Sequence, residues 1–76
     1  MISQRLKNII LKELNLDEFK ITDDTKAYDI PGWDSLNHIN VSLAIENDYK
    51  IKFKNLELMR LGNIGELQNL IDKKIG

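Results

Sequence analysis

The residues with the clearest chemical possibilities are Pro31-Gly32-Trp33-Asp34-Ser35-Leu36. Pro-Gly makes a sharp turn, and a helical apolar pattern begins at Asp34-Ser35. Ser35 therefore stands at a helix start. Unpaired amides and the positive end of the helix dipole favour a phosphate there. The neighbouring turn leaves the hydroxyl within reach of another protein. A phosphodiester on Ser35 is thus electrostatically tolerated and sterically accessible. On these residues alone the ordinary reading is the stronger: serine is a favoured N-cap, and Asp-Ser is a common way to begin a helix.

Other candidates for chemistry are weaker. The single histidine, His38, has no cysteine partner and no acid at a metal or triad spacing. It reads as a surface residue on the exposed flank of a helix. Asp23 and Asp24 read as local caps in a turn. The glycines at 32, 62, 65 and 76 match no phosphate-binding loop. No catalytic residue, no metal ligand set and no enzyme is expected. The absence of cysteine excludes disulfides, a thiolate nucleophile and cysteine metal sites.

The elements that must position Ser35 follow from apolar spacing. Leu6, Ile9, Ile10 and Leu14 make one helical stripe, with Ser3 as N-cap. Residues 15–34 form a long connection rich in turn formers. Its scattered Leu16, Phe19, Ile21, Tyr28 and Ile30 predict a strap pinned across the core, since long structureless loops are uncommon in compact domains. The second helix runs from Asp34-Ser35 to near Lys50. Leu36, Ile39 and Leu43, joined by Val41, Ala44, Ile45 and Tyr49, predict a wide buried stripe. Ile51-Lys52-Phe53 reads as a short extended piece. Asn55 is expected to cap a short third helix through Leu61, with Leu58 and Leu61 facing inward and Met59 as core filler. Gly62 is expected to end it in the left-handed conformation. Asn63 and Glu66 predict a capping box for a fourth helix carrying Ile64, Leu67, Leu70, Ile71 and Ile75. The fold class is all-α: a small four-helix bundle, three longer helices and one short, with a long loop between helices one and two.

With 76 residues, one domain spanning 1–76 is expected. The formal net charge of −1 gives no general attraction for nucleic acid. Between positions 23 and 48 the acids are Asp23, Asp24, Asp29, Asp34, Glu46 and Asp48, opposed only by Lys26. They are either solvated surface charges or a face for a basic partner. No apolar run approaches the ~20 residues that cross a bilayer, and no secretory signal pattern is visible. No membrane association and a cytoplasmic location are therefore expected.

These elements, in this order, resemble the acyl carrier proteins. Gly32-Trp33-Asp34-Ser35-Leu36 resembles that family's Gly-x-Asp-Ser-Leu attachment motif. Ile39, Leu43, Ala44, Ile45, Glu46, Tyr49, Ile51 and Phe53 look like its second helix and following loop. Asn63-Ile64-Gly65-Glu66-Leu67 looks like its Thr-Val-Gly-Asp-Leu start of the last helix. The resemblance covers essentially the whole chain at consistent spacing.

The resemblance implies that a phosphopantetheinyl transferase (holo-ACP synthase) moves 4′-phosphopantetheine from coenzyme A onto Ser35. The arm's thiol then holds an acyl group as a thioester, which supplies the thiol that the chain lacks. Asp34 is implied to assist the transferase, near its magnesium ion. The partners implied are that transferase and the acyl-transferring or acyl-activating enzymes of fatty-acid, polyketide or specialised lipid and surface-polymer synthesis, visited by a monomer. The second helix is the implied recognition surface, with Trp33, Leu36, Asn37, Asn40 and Glu46 as contacts. Trp33 packs on the strap or meets the arm or a partner, and Leu36 is either core or an exposed contact. Asn37 and Asn40 depart from the acids found here in many fatty-acid carriers, which weakens steering by charge. If the bundle encloses its cargo, the aliphatic stripes of helices two and four line the space; otherwise they are plain core. A peptidyl or aminoacyl carrier is the nearest alternative, and a non-carrier helical protein-interaction module the alternative of another class.

Overall fold

The computed structural model describes residues 2–76. Four α-helices are formed: α1 (Gln4–Glu13), α2 (Ser35–Tyr49), α3 (Asn55–Met59) and α4 (Ile64–Ile75). A 3₁₀ turn, Ala27–Asp29, lies in the long strap between α1 and α2. The all-α bundle with one short helix is as expected.

α1 begins as its sequence predicts, with the Ser3 hydroxyl accepting the Leu6 amide at 3.2 Å. Ser3 is itself held from α4. The buried Gln68 Oε1 accepts both the Ser3 amide (2.9 Å) and the Ser3 hydroxyl (3.0 Å). Leu6 and Ile10 are fully buried one turn apart, each burial being worth about 1.5–3 kcal/mol. The helix ends at Asn15 in the left-handed conformation (φ 56°), with the Leu16 amide returning to the Leu11 carbonyl at 2.9 Å.

The strap is pinned as expected. Ile21 and Ile30 are buried in the core, while Leu16 and Phe19 pack against it. Tyr28 stays exposed. Backbone bonds fix the strap to the start of α4. The Ile64 amide donates to the Thr25 carbonyl (2.8 Å), and the Gly65 amide to the Asp23 carbonyl (3.0 Å). These amides belong to the first turn of a helix, where no intrahelical acceptor exists. The Asp23 side chain accepts the Ile2 amide at 3.1 Å, so it ties the chain start to the strap.

The sheath around α2 corrects the expected stripe. Val41 and Ile45 are its buried residues. Leu36, Ile39 and Leu43 are 68%, 56% and 50% exposed. Apolar residues occur on opposite sides of this helix, and only the side bearing Val41, Ile45 and Tyr49 meets the other elements. Arg5 joins that side to α1, pairing with Asp48 and lying 4.1 Å from the centre of the Tyr49 ring. α2 ends at Lys50 (φ 59°).

In the second half of the chain the bounds of α3, the conformation of Gly62 and the burial of Met59 and Ile75 differ from expectation. Residues 51–54 are non-helical, with Ile51 and Phe53 half-buried and Lys52 exposed as a short extended piece has them, and Glu46 holds them, its carboxylate accepting the Phe53 amide at 2.7 Å. α3 is capped from Lys54, not Asn55, and stops at Met59, not Leu61. The Glu57 carboxylate replaces a capping side chain by accepting the Lys54 amide (2.8 Å) and also pairs with Lys74 (2.8 Å). The Lys74 bond, then the Lys54 amide, holds its pKa below the usual carboxylate range. Gly62 is not left-handed; Asn15 and Lys50 are the residues that end helices that way. Met59, expected as core filler, is 79% exposed, because so short a helix cannot turn Leu56, Leu58 and Met59 inward together. Ile75 also remains exposed at the end of α4. Asn63 caps α4, accepting the Glu66 amide at 2.8 Å.

Gly65 is buried where strap and helix meet, and a Cβ there would lie 2.7 Å from the Asp23 carbonyl oxygen. Gly65→Ala is expected to destabilise the fold by about 1–3 kcal/mol, read as a lower urea midpoint with unchanged helical content in the native baseline.

Candidate functional site

The end of the bundle that carries Ser35 is built by a turn whose two ends are buried. The Trp33 amide donates to the Ile30 carbonyl at 3.1 Å. Pro31 and Gly32 occupy the middle of this turn, and Gly32 has φ 84°. Pro followed by a positive-φ glycine is the arrangement of a type II turn. Ile30 and Trp33 carry the apolar anchors, both buried. The chain therefore reverses at the surface and enters α2 from a fixed direction.

Asp34, not Ser35, is the N-cap of α2. Its Oδ1 accepts the Asn37 amide at 2.8 Å, and its carbonyl accepts the His38 amide at 2.8 Å. Ser35 is the first helical residue, and it is exposed. Among the described residues its hydroxyl has no hydrogen-bond partner. The ordinary reading of Ser35 as the cap is thereby removed. The amides of Ser35 and Leu36 lie in the first turn, where none finds an intrahelical carbonyl. An exposed, uncommitted hydroxyl beside two such amides fits a phosphodiester-linked group.

The other candidates fall in four places. Trp33 is buried, and its indole Nε1 donates to His38 Nδ1 at 3.2 Å. Leu36 is exposed, which removes its core reading, and it lies beside Ser35, continuous along α2 with Ile39 and Leu43. The Asn37 side-chain amide donates to the Gly32 carbonyl at 2.7 Å, and Asn40 donates to Asn37 at 3.2 Å. Glu46 does not join this group. It lies about 16 Å farther along the helix axis and is engaged with Phe53.

His38 is the residue that sequence reasoning placed wrongly. It is half-buried and lies against Trp33, with ring centres 6.1 Å apart. Neither residue type nor helical period signals a contact that crosses a turn–helix junction. Beside this pair opens a groove of about 470 Å³ between the 3₁₀ turn, α2, α3 and α4. Trp33, His38, Val41, Ile45, Leu61 and Leu67 are among its lining residues. Val41, Ile45 and Leu67 are thus core residues and groove wall together. Among the described residues, no cluster of three metal-ligating side chains occurs.

A family model described as the phosphopantetheine attachment site matches residues 4–71. The chain belongs to this family, the acyl carrier proteins. It is 29% identical over 75 residues to an acyl carrier protein of Thermotoga maritima, covering 99% of this chain and 93% of the relative. It is 29% identical over 73 residues to an acyl carrier protein of Buchnera aphidicola, covering 96% and 91%. The solution structure of holo acyl carrier protein from Geobacter metallireducens is also similar, with a TM-score of 0.87, 42% identity, and coverage of 93% of this chain and 82% of that one. Phosphopantetheine is accordingly the prosthetic group of this carrier.

Gly32→Ala is expected to strain the turn that delivers the chain to Ser35. The cost is about 1–2 kcal/mol in thermal or urea unfolding, with a smaller loss for Gly32→Asn, since asparagine tolerates positive φ.

Proposed function

We propose that Ser35 is the attachment residue and that this chain delivers acyl units to partner enzymes as a single carrier domain. One observation carries the assignment. Asp34 does the capping, so the exposed Ser35 hydroxyl at the next position is left uncommitted. In the loading reaction the Ser35 oxygen loses its proton and forms a bond to phosphorus, while the nucleotide part of coenzyme A departs. The attached group supplies a terminal thiol on which an acyl unit is held as a thioester. The chain's own residues position and present; none of them performs the acyl chemistry. Tethering raises the effective concentration of the carried unit at a partner.

Asp34 keeps its capping bond through Oδ1. Its other carboxylate oxygen is available to assist a transferase and its magnesium ion. Partners meet α2 along Leu36, Ile39 and Leu43, where exposed apolar side chains continue from the attachment residue. The neutral Asn37 and Asn40 on this helix favour apolar contact over steering by charge. That combination supports a dedicated carrier of a specialised lipid, polyketide or surface-polymer route more than a general fatty-acid carrier. The groove beside Trp33 gives a carried chain an apolar space of about 470 Å³. No helix among the described residues is long and apolar enough to cross a membrane, and we place the carrier in the cytoplasm as a monomer.

Incubation of the purified chain with coenzyme A, magnesium and a broadly acting phosphopantetheinyl transferase is expected to give one phosphopantetheine addition by intact mass. Ser35→Ala should give none. An unmodified wild-type chain, under conditions that fully load a control carrier, contradicts the proposal.

A further inference from the structure

Ser35 is held by no hydrogen bond of its own side chain, so its position depends wholly on the backbone around it. Two side-chain bonds cross that backbone. Asn37 Nδ2 donates to the Gly32 carbonyl at 2.7 Å, and Trp33 Nε1 donates to His38 Nδ1 at 3.2 Å. Each joins a residue of the turn ahead of the helix to one five positions later. The two pairs are consecutive, Gly32–Asn37 and Trp33–His38, and both enclose Ser35. The chemistry of each is fixed by its partner. A carbonyl accepts only, so the Asn37 nitrogen must face Gly32. An indole nitrogen donates only, so Nδ1 of His38 must be unprotonated and the imidazole proton must sit on Nε2.

We propose that Asn37 and His38 are positioning residues for the loading of Ser35, a double brace that fixes the turn on the first turn of α2. This rests on the reading of Ser35 as the attachment residue. Asn37 braces the exposed side of the junction. His38 braces the side facing the groove, where Trp33 is buried. The brace holds two directions at once: the backbone of Pro31–Asp34 cannot swing away from the helix, nor roll over it. The hydroxyl then has one direction of presentation, while its own rotation stays free for the incoming phosphorus. Asn37 thereby acts within the chain, before any partner arrives.

The test separates the acceptor atom from the bulk of the imidazole. Asparagine at 38 can place its amide oxygen near the site of Nδ1; leucine cannot. The kcat/KM for loading the apo chain by a phosphopantetheinyl transferase is expected to fall about three- to tenfold in His38→Leu and in Trp33→Phe, the range of one neutral hydrogen bond. His38→Asn should recover to within about twofold of wild type. The double variant Trp33→Phe with His38→Leu should lose no more than either alone, because both remove one bond. Asn37→Ala should lose independently of these. Loading of His38→Leu and Trp33→Phe at the wild-type rate would overturn the proposal, as would His38→Asn remaining as slow as His38→Leu. The indole N–H resonance of the single tryptophan gives a second readout that needs no loading. It is expected to be shifted downfield and protected from exchange in the wild type, and an unprotected indole would overturn the brace even if His38→Leu does not fold. A wild-type chain that shows the protected indole but is never loaded would sink the reading of Ser35 and, with it, the role given to the brace.

Discussion

The amides of Ile64 and Gly65 donate to carbonyls of the strap, and the rest of the architecture depends on that junction. A helix start has amides without partners, and a long crossing loop has carbonyls without partners. Here each satisfies the other. The contact requires the strap backbone to approach α4 closely, which is why position 65 has no side chain. Asp23 extends the junction to the beginning of the chain through Ile2, and Gln68 extends it to Ser3. The strap, α1 and α4 thereby become one framework. From there the strap runs to Ile30 and Trp33, whose buried side chains fix both ends of the Pro31-Gly32 turn. Ser35 is exposed because everything immediately before it is anchored.

α2 divides its apolar residues between two duties. Val41 and Ile45 close the core, whereas Leu36, Ile39 and Leu43 face outward. A small bundle has little apolar area to leave uncovered without reason. That outward row runs along α2 directly away from Ser35. The groove on the opposite side of the attachment end begins at the Trp33–His38 pair. The same few residues around Ser35 therefore separate an exposed apolar row from a groove.

Much of this was legible in the sequence. The four helices, the caps Ser3 and Asn63 and the pinned strap follow from periodicity, short polar side chains and scattered apolar residues. The Pro31-Gly32 turn and the apolar pattern after it placed Ser35 at the right element boundary. What could not be read has definite causes. Leu36, Ile39 and Leu43 have helical spacing as good as that of Val41 and Ile45, and spacing alone does not say which face finds a neighbour. Asp34 and Ser35 are both good caps, so the choice between them needed the Asn37 amide in place. The left-handed residues that end helices are Asn15 and Lys50, whereas Gly62, expected in that role, is not left-handed. The bonds of Asn37 and His38 span a turn and a helix start, a juxtaposition with no periodic signature. Glu46 was open to a reading as a solvated surface charge but holds the Phe53 amide after α2.

The central claim is that one hydroxyl, that of Ser35, bears the arm. Tryptic cleavage after Lys26 and Lys50 leaves Ser35 in one peptide with Ser42 as the only other serine. Fragmentation of that peptide, taken from chain loaded in cells, locates the added group directly. Ser42 is half-buried and donates to the His38 carbonyl at 2.8 Å, so it is a poor acceptor for modification. The account predicts phosphopantetheine on Ser35 alone. Phosphopantetheine on Ser42, or on a residue outside this peptide, would contradict it.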